Sequence, residues 1–416
     1  MDEQSLIRDP QKFRWEYGFL KDLAHGGEGK VSLWENKSTG RLIAVKEPVA
    51  DKVLVREALQ KEIKSMTKLG QHPHIVRFLG SANDWNHLSP AIFYEFCELG
   101  DVHDYSHRVL KSGSCVPEPT IWKFLMDMTK GLDYLHNCLD VPYVHGDLKP
   151  GNILVSRPPG DCTVIPLMPT FKLADISHLT AYDRKGRSAY NMYAGTYEFG
   201  PPLEERKHRL APSVDIWAIG VSLQTLAWGI LPIKSNTTIR RELIAVGWPA
   251  DDESIRKLKN DDRYRRAQLT FVWRPMNAKG IDQLTKYDMD SEHPPYSDAL
   301  NAWYSMCLHE NPKSRITSKV LMEYFLPLAD QQLQLLLARK RRDDAFEKVR
   351  LLKAKAHARR NQSKSRASPQ TRESIAARVP ARNPVPERKD PAKANVKGKK
   401  KADLDDGKGK KKFSRF

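Results

Sequence analysis

The sequence predicts an α+β protein whose first part is rich in strands and whose second part is helical, followed by a basic tail. Up to Cys97, short β-forming segments are divided by turn residues, with one helical stretch among them. From Glu98 to Asp330 apolar residues recur at helical spacing, and after Asp330 the chain turns to Lys, Arg, Ala, Pro, Ser and Gly.

The strands are expected at residues 15–23, 30–35 and 41–47, separated by a glycine-rich turn and by Asn36-Lys37-Ser38-Thr39-Gly40. Residues 53–69 have helical spacing, with Leu59, Ile63, Met66 and Leu69 on one face, and residues 91–96 form another apolar strand. Ile121, Phe124, Leu125, Met128, Leu132 and Leu135 make an apolar stripe that ends near His136. Residues 214–228 are almost wholly apolar, as expected of a helix buried on every side. Residues 331–360 keep helical spacing. From Asn361 onward the composition cannot bury enough apolar area to offset chain entropy, so disorder is expected.

With 416 residues and 40% hydrophobic content, a sizeable core is available. No run of apolar residues is long enough to span a membrane, and the mixed-charge start argues against a signal peptide, so an intracellular protein, cytoplasmic and/or nuclear, is expected. The five cysteines make no CxxC pair and no zinc spacing. Residues 331–416 hold 27 Lys and Arg against 9 Asp and Glu, a difference of 18 that accounts for the whole net charge of +18. The body is therefore neutral, and its charge says nothing about partners.

Several short motifs follow one another in order. Ala24-His25-Gly26-Gly27-Glu28-Gly29-Lys30-Val31 lies between two strands, where glycines let backbone amides approach a phosphate closely. Ala44-Val45-Lys46 closes the next strand, and Glu62 stands on the following helix, with Glu57 as its rival for pairing with the lysine. Next come Tyr94-Glu95-Phe96-Cys97-Glu98-Leu99-Gly100-Asp101 and Val144-His145-Gly146-Asp147-Leu148-Lys149-Pro150-Gly151-Asn152-Ile153-Leu154-Val155. Leu173-Ala174-Asp175-Ile176-Ser177, Gly195-Thr196-Tyr197-Glu198-Phe199-Gly200-Pro201-Pro202-Leu203-Glu204, Asp215-Ile216-Trp217-Ala218-Ile219-Gly220 and Asn311-Pro312-Lys313-Ser314-Arg315 complete the series.

Together these motifs resemble the eukaryotic-type serine/threonine protein kinase family over roughly residues 15–326, with His145-Gly146-Asp147 as a variant of that family's H-R-D catalytic loop. The resemblance implies a bilobal protein-kinase fold: an extension at 1–14, a β-rich lobe at 15–97, a helical lobe at 98–330 and a tail at 331–416. It also implies ATP and Mg²⁺ as cofactors and a protein as substrate. On this resemblance Asp147 is the catalytic base and Lys149 offsets charge on the transferred group, while Asn152 and Asp175 hold metal. Leu23, Gly26, Gly29, Val31 and Ala44 enclose the nucleotide, and Lys46, paired with Glu62, holds the α- and β-phosphates. Backbone groups of Glu95 and Cys97 meet adenine across a hinge, Asp101 accepts from the ribose, and Tyr94 takes the gatekeeper position behind the base. Lysine two residues after the aspartate is the serine/threonine pattern.

Four departures stand out: Ala24 for the first glycine, Gly146 for arginine, Ser177 for the glycine of D-F-G, and Leu203 for a glutamate that Glu204 or Glu205 would have to replace in reaching Arg315. They leave two alternatives to an active kinase. One is a pseudokinase scaffold; the other is a small-molecule kinase of the aminoglycoside or choline type, which shares H-G-D. Kinases that need activation-loop phosphorylation normally carry an arginine before the aspartate, so Gly146 implies activity independent of Ser188, Tyr190 and Tyr193. The stretch 234–295 reads as either a docking insert or a solvated loop. The tail suits an import receptor or weak nucleic-acid contact, without the aromatics that stack on bases.

Overall fold

A computed structural model describes residues 9–26, 29–50, 52–86, 89–113, 115–183, 191–261 and 271–366, with side chains to 361. Strands β1 (Tyr17–His25), β2 (Lys30–Asn36), β3 (Leu42–Glu47), β4 (Phe78–Ala82) and β5 (Ala91–Glu95) build an antiparallel sheet ordered β1-β2-β3-β5-β4. Its register sets Val31 opposite Lys46, Leu33 opposite Ala44, and Tyr94 opposite Ala44 on the other side. Because directly paired residues share a face, Val31, Leu33, Ala44, Lys46 and Tyr94 look the same way.

The opposite face is closed by helix α1 (Pro10–Glu16), which corrects the expected strand start at Trp15. Asp9 caps this helix by accepting from the Gln11 and Lys12 amides, and Pro10 at its first position supplies a preset φ. Fully buried Phe13 is thereby pushed into a cluster with Tyr17, Ile43, Val45, Trp85 and Phe93. Burying such a ring is worth about 1.5–3 kcal/mol, so α1 is part of the sheet's own core.

Helix α2 (Val53–Leu69) sets Leu59, Glu62, Met66 and Leu69 inward, and Ile63 only partly so. Beyond β5 the chain becomes helical through α3 (Val102–Lys111) and α4 (Glu118–Asp133), with two short antiparallel strand pairs between them and the next helices: β6 (Tyr143–Val144) with β9 (Thr180–Ala181), and β7 (Ile153–Ser156) with β8 (Thr170–Leu173). After α5 (Leu203–Arg206), helix α6 (Ser213–Trp228) is buried from Val214 to Trp228, with Asp215, Ser222, Gln224 and Thr225 buried among its apolar residues.

The stretch 234–295 is largely folded. It carries α7 (Asn236–Ala245), α8 (Asp252–Asn260) and α9 (Ile281–Thr285), while residues 262–270 lie outside the described residues. Fully buried Arg274 fastens it by donating to the carbonyls of Leu231, Ile233, Tyr287 and Asp288. Helix α10 (Asp298–Cys307) packs on α6 at Gly220, where an added Cβ would come within 2.9 Å of Leu308. After α11 (Ser318–Val320) and one π-turn, helix α12 (Leu326–Arg366) begins, with Leu333 buried and Leu336 and Leu337 packed on the same core.

The chain divides into two units, Met1–Ala345 and Phe346–Phe416. In the second, the described side chains of Phe346, Val349, Leu351 and Leu352 are exposed along the helix. No helix among the described residues is long and apolar enough to cross a membrane.

Candidate active site

Lys46 ends β3 with its stem on the sheet face that Val31 and Ala44 share. Its ammonium bonds Glu62 Oε2 at 2.7 Å and Asp175 Oδ1 at 3.1 Å. Glu57, the rival for the lysine, is exposed on the other side of its helix. The second oxygen of Glu62 accepts the Tyr94 hydroxyl at 2.7 Å, so both carboxylate oxygens are engaged although the residue is only 1% exposed. Burial disfavours the charge on Lys46, yet Glu62 and Asp175 outweigh it and hold the lysine protonated above its ordinary value. The same balance holds Asp175 below the usual carboxylate range: burial opposes, and the Lys46 charge and hydrogen bond prevail. Burial and the neighbouring Glu62 push the Tyr94 phenol well up.

Above the lysine, the Gly26 amide bonds the Gly29 carbonyl at 2.8 Å, and Gly27 and Glu28 lie outside the described residues. A Cβ on Gly29 would stand 3.1 Å from Lys46 Cε, which explains a glycine there. Leu23 on β1 is 38% exposed, whereas Ala44 is buried. At the strand's far end, the Glu95 amide already donates to Arg77 O at 3.0 Å, and its carboxylate takes Lys172 at 2.7 Å and the Arg77 amide at 2.8 Å. Adenine contact through Glu95 would therefore use its carbonyl. Cys97 is buried, and desolvation raises its thiol to about 12. Asp101 caps α3 by accepting the Asp104 amide at 2.8 Å, which leaves its other oxygen toward Gly151.

Asp147 is 6% exposed and collects four donors. Its Oδ1 accepts the Thr196 amide at 2.6 Å and the Thr196 hydroxyl at 2.8 Å; its Oδ2 accepts Lys149 Nζ at 2.9 Å and Asn152 Nδ2 at 3.2 Å. Lys149 also reaches the Thr196 hydroxyl at 2.9 Å. Thr196, placed by its sequence only in the docking segment, thus touches both catalytic candidates; the Gly195-Thr196 pair was the signal. Beneath the loop, Asp215 accepts the amides of His145 at 2.8 Å and Gly146 at 3.0 Å, together with His136 Nε2 at 2.9 Å. His145 Nε2 lies 3.0 Å from Ala174 O, and the Asp147 amide points at His145 Nδ1, so one tautomer serves both contacts.

Asp175 follows in the left-handed region, at φ 53°. For a residue other than glycine this costs about 1–3 kcal/mol and persists only where the surroundings over-determine it. Here Lys46 holds the side chain, buried Ile176 anchors the next residue, and Lys61 donates to Ser177 O at 3.1 Å. Asn152 lies beside this segment, its carbonyl accepting the Ala174 amide at 2.9 Å. An amide oxygen and one carboxylate suit a hard cation such as Mg²⁺, which takes few protein ligands and completes its shell with phosphate and water.

The late salt bridge is resolved in favour of Glu205. Its oxygens meet Arg315 at 2.8 and 3.0 Å in a two-pronged pair, whereas Glu204 is exposed and pairs with Lys207. Arg315 also lies over the Trp217 ring and donates to Ser213 O. Of the loop acceptors, Ser188 and Tyr190 lie outside the described residues, and Tyr193 is half-buried with its hydroxyl on Thr196 O.

With this geometry in place, a profile of the protein kinase domain matches residues 17–326. The chain belongs to the protein kinase family. Among curated proteins, the kinase domain is similar to Wee1-like protein kinase 2 of Xenopus tropicalis, 26% identical over 54% of this chain and 40% of that protein. It is similar to calcium-dependent protein kinase 4 of Arabidopsis thaliana, 28% identical over 56% of this chain and 43% of that protein. It is also similar to mitogen-activated protein kinase kinase 2 of Arabidopsis thaliana, 25% identical over 76% and 73% respectively. The chain thus spans less than half the length of the first two relatives.

Proposed function

We propose that this kinase domain is catalytically active and transfers the γ-phosphoryl group of ATP to serine or threonine hydroxyls of protein substrates. The observation that carries the reading is Lys46 bonded to both Glu62 and Asp175: the cation that would hold the phosphates and the carboxylate that would hold metal are already joined. Asp147 would orient the substrate hydroxyl and take its proton as the new O–P bond forms and the bond to ADP breaks. To do so it exchanges one of its present donors, and Lys149 is suited to leave the carboxylate for the transferred group. Asn152 and Asp175 would hold Mg²⁺, which when bound neutralises triphosphate charge. Leu23, Gly26, Gly29, Val31 and Ala44 would enclose the nucleotide, with Glu95 and Cys97 backbone at adenine and Asp101 at ribose.

The lobes are assigned to 15–97 and 98–330, with the extension at 1–14 lending Phe13 to the sheet's core and the tail at 331–416 lending Leu333 to the main core; an intracellular site and an import receptor or weak nucleic-acid contact suit the tail's charge. The test is incubation of the full chain with ATP, Mg²⁺ and a serine/threonine peptide array, beside Asp147→Asn. Phosphate transfer by the wild type alone supports the reading. Nucleotide binding without transfer to any peptide overturns it in favour of a scaffold.

A further inference from the structure

The segment 195–202 is held from beneath by a tyrosine and from behind by an arginine. The Tyr193 hydroxyl donates to Thr196 O at 2.8 Å, and its ring packs with Val144, Leu210 and Val214. The chain bends round that ring. A Cβ on Gly195 would come within 2.8 Å of the Tyr193 oxygen, and one on Gly200 within 2.7 Å of its Cε1. Arg206 closes the far side, donating to Pro201 O at 2.6 Å, Tyr197 O at 2.9 Å and Gly200 O at 3.2 Å. Its guanidinium rests 5.8 Å from the Tyr193 ring and 5.7 Å from that of Tyr197.

This assembly ends on Asp147. The phenol fixes the carbonyl of Thr196, whose amide and hydroxyl both hold Asp147 Oδ1. It also borders the place where an arginine side chain would begin in a phosphate-sensing kinase. A Cβ on Gly146 would lie 3.5 Å from Leu210 Cδ2, and Leu210 belongs to the cluster against which Tyr193 packs.

We propose that Tyr193 and Arg206 are positioning residues that keep the peptide-docking segment assembled and Asp147 aligned without a phosphate on the loop. The inference rests on the proposed kinase activity and assigns its regulation. Burial raises the Tyr193 phenol far above its ordinary range, so the hydroxyl stays a donor.

The experiment compares full-length wild type, Tyr193→Phe and Arg206→Lys, each before and after phosphatase treatment. Peptide phosphorylation, ATP affinity and thermal midpoint are measured on the same samples. Removing one hydrogen bond that orients a catalytic group is expected to lower kcat for peptide about tenfold. ATP affinity is expected to stay the same, because Lys46, Glu62 and Asp175 are untouched, and phosphatase to change nothing. Unaltered ATP affinity also certifies the fold of each variant. Wild-type kcat and peptide KM in Tyr193→Phe, or a hundredfold loss on dephosphorylating the wild type, overturns the proposal. Should the wild type transfer no phosphate, the activity reading has failed separately. Peptide affinity by fluorescence anisotropy then decides this one: equal binding by wild type and both variants overturns it, and weaker binding by the variants upholds the docking role.

Discussion

The Tyr94 hydroxyl donates to Glu62 Oε1 at 2.7 Å, so strand β5 and the glutamate of α2 are joined directly. The tyrosine is 8% exposed and the glutamate 1%, so this bond holds α2 against the sheet and, in the proposed nucleotide site, would close the space behind adenine. The Glu62 carboxylate then has one oxygen committed to the sheet and the other to Lys46.

Tyr94→Phe keeps the ring and strands a buried carboxylate oxygen, at a cost of about 1–3 kcal/mol. The expected result is a lower thermal midpoint and weaker ATP binding, with the peptide KM unchanged. Calorimetry and steady-state kinetics check it; unchanged ATP affinity would show that Lys46 alone holds Glu62.

Glu205→Gln and Glu204→Gln separate the two candidates for the Arg315 bridge. Breaking a buried ion pair costs about 3–5 kcal/mol, whereas an exposed one contributes about 0–1 kcal/mol. Glu205→Gln should therefore lower the thermal midpoint by several degrees, and Glu204→Gln should leave it in place. Equal midpoints for the two variants would remove the bridge from the fold's stability.

Charge states in the Lys46 network fix its pH response. Lys46 titrates above its ordinary 10.5, so its contribution is complete below that value and fades only as pH rises through the raised one. Asp175 titrates below its ordinary 3.8, so its contribution is complete above that value and fades as pH falls through the lowered one. The difference in thermal midpoint between wild type and Lys46→Met is expected to be flat from about pH 6 to about pH 9. A midpoint difference that titrates near neutrality would contradict the assignment.

A chain ending at Asp330 loses Leu333, which is 4% exposed, together with Leu336 and Leu337. Losing a buried leucine of this kind costs about 2–5 kcal/mol, so the cut at Asp330 should destabilise the kinase domain. A cut after Ala345 should spare it. Thermal unfolding of the two truncated chains distinguishes them.

Much of this arrangement was legible beforehand because each catalytic candidate sits in a local motif. Lys46 ends a strand, Glu62 lies on an amphipathic helix, and Asp147, Asn152 and Asp175 fall in short runs of fixed spacing. What escaped depends on contacts between distant segments. Nothing local tells Glu205 from Glu204, since only the turn of α5 decides which carboxylate faces Arg315. The Tyr94–Glu62 bond links a strand to a helix across 32 positions, and Arg206 follows the docking segment without belonging to any motif. Helix α1 was readable and missed: Asp9 followed by Pro10 is a cap and first-turn signal, overridden by the β-forming residues after Trp15.

Cys97 has a consequence for inhibitor chemistry. A thiol in the proposed hinge would be an inviting target for an electrophile carried on an adenine mimic, but acylation and Michael addition need thiolate. Here the residue is 5% exposed, and burial raises the thiol to about 12, which leaves almost none ionised near neutrality. Acrylamide-bearing hinge ligands should therefore behave as reversible competitors of ATP, washing out on dialysis without leaving an adduct. Selectivity against other kinases would have to come from contacts other than this thiol.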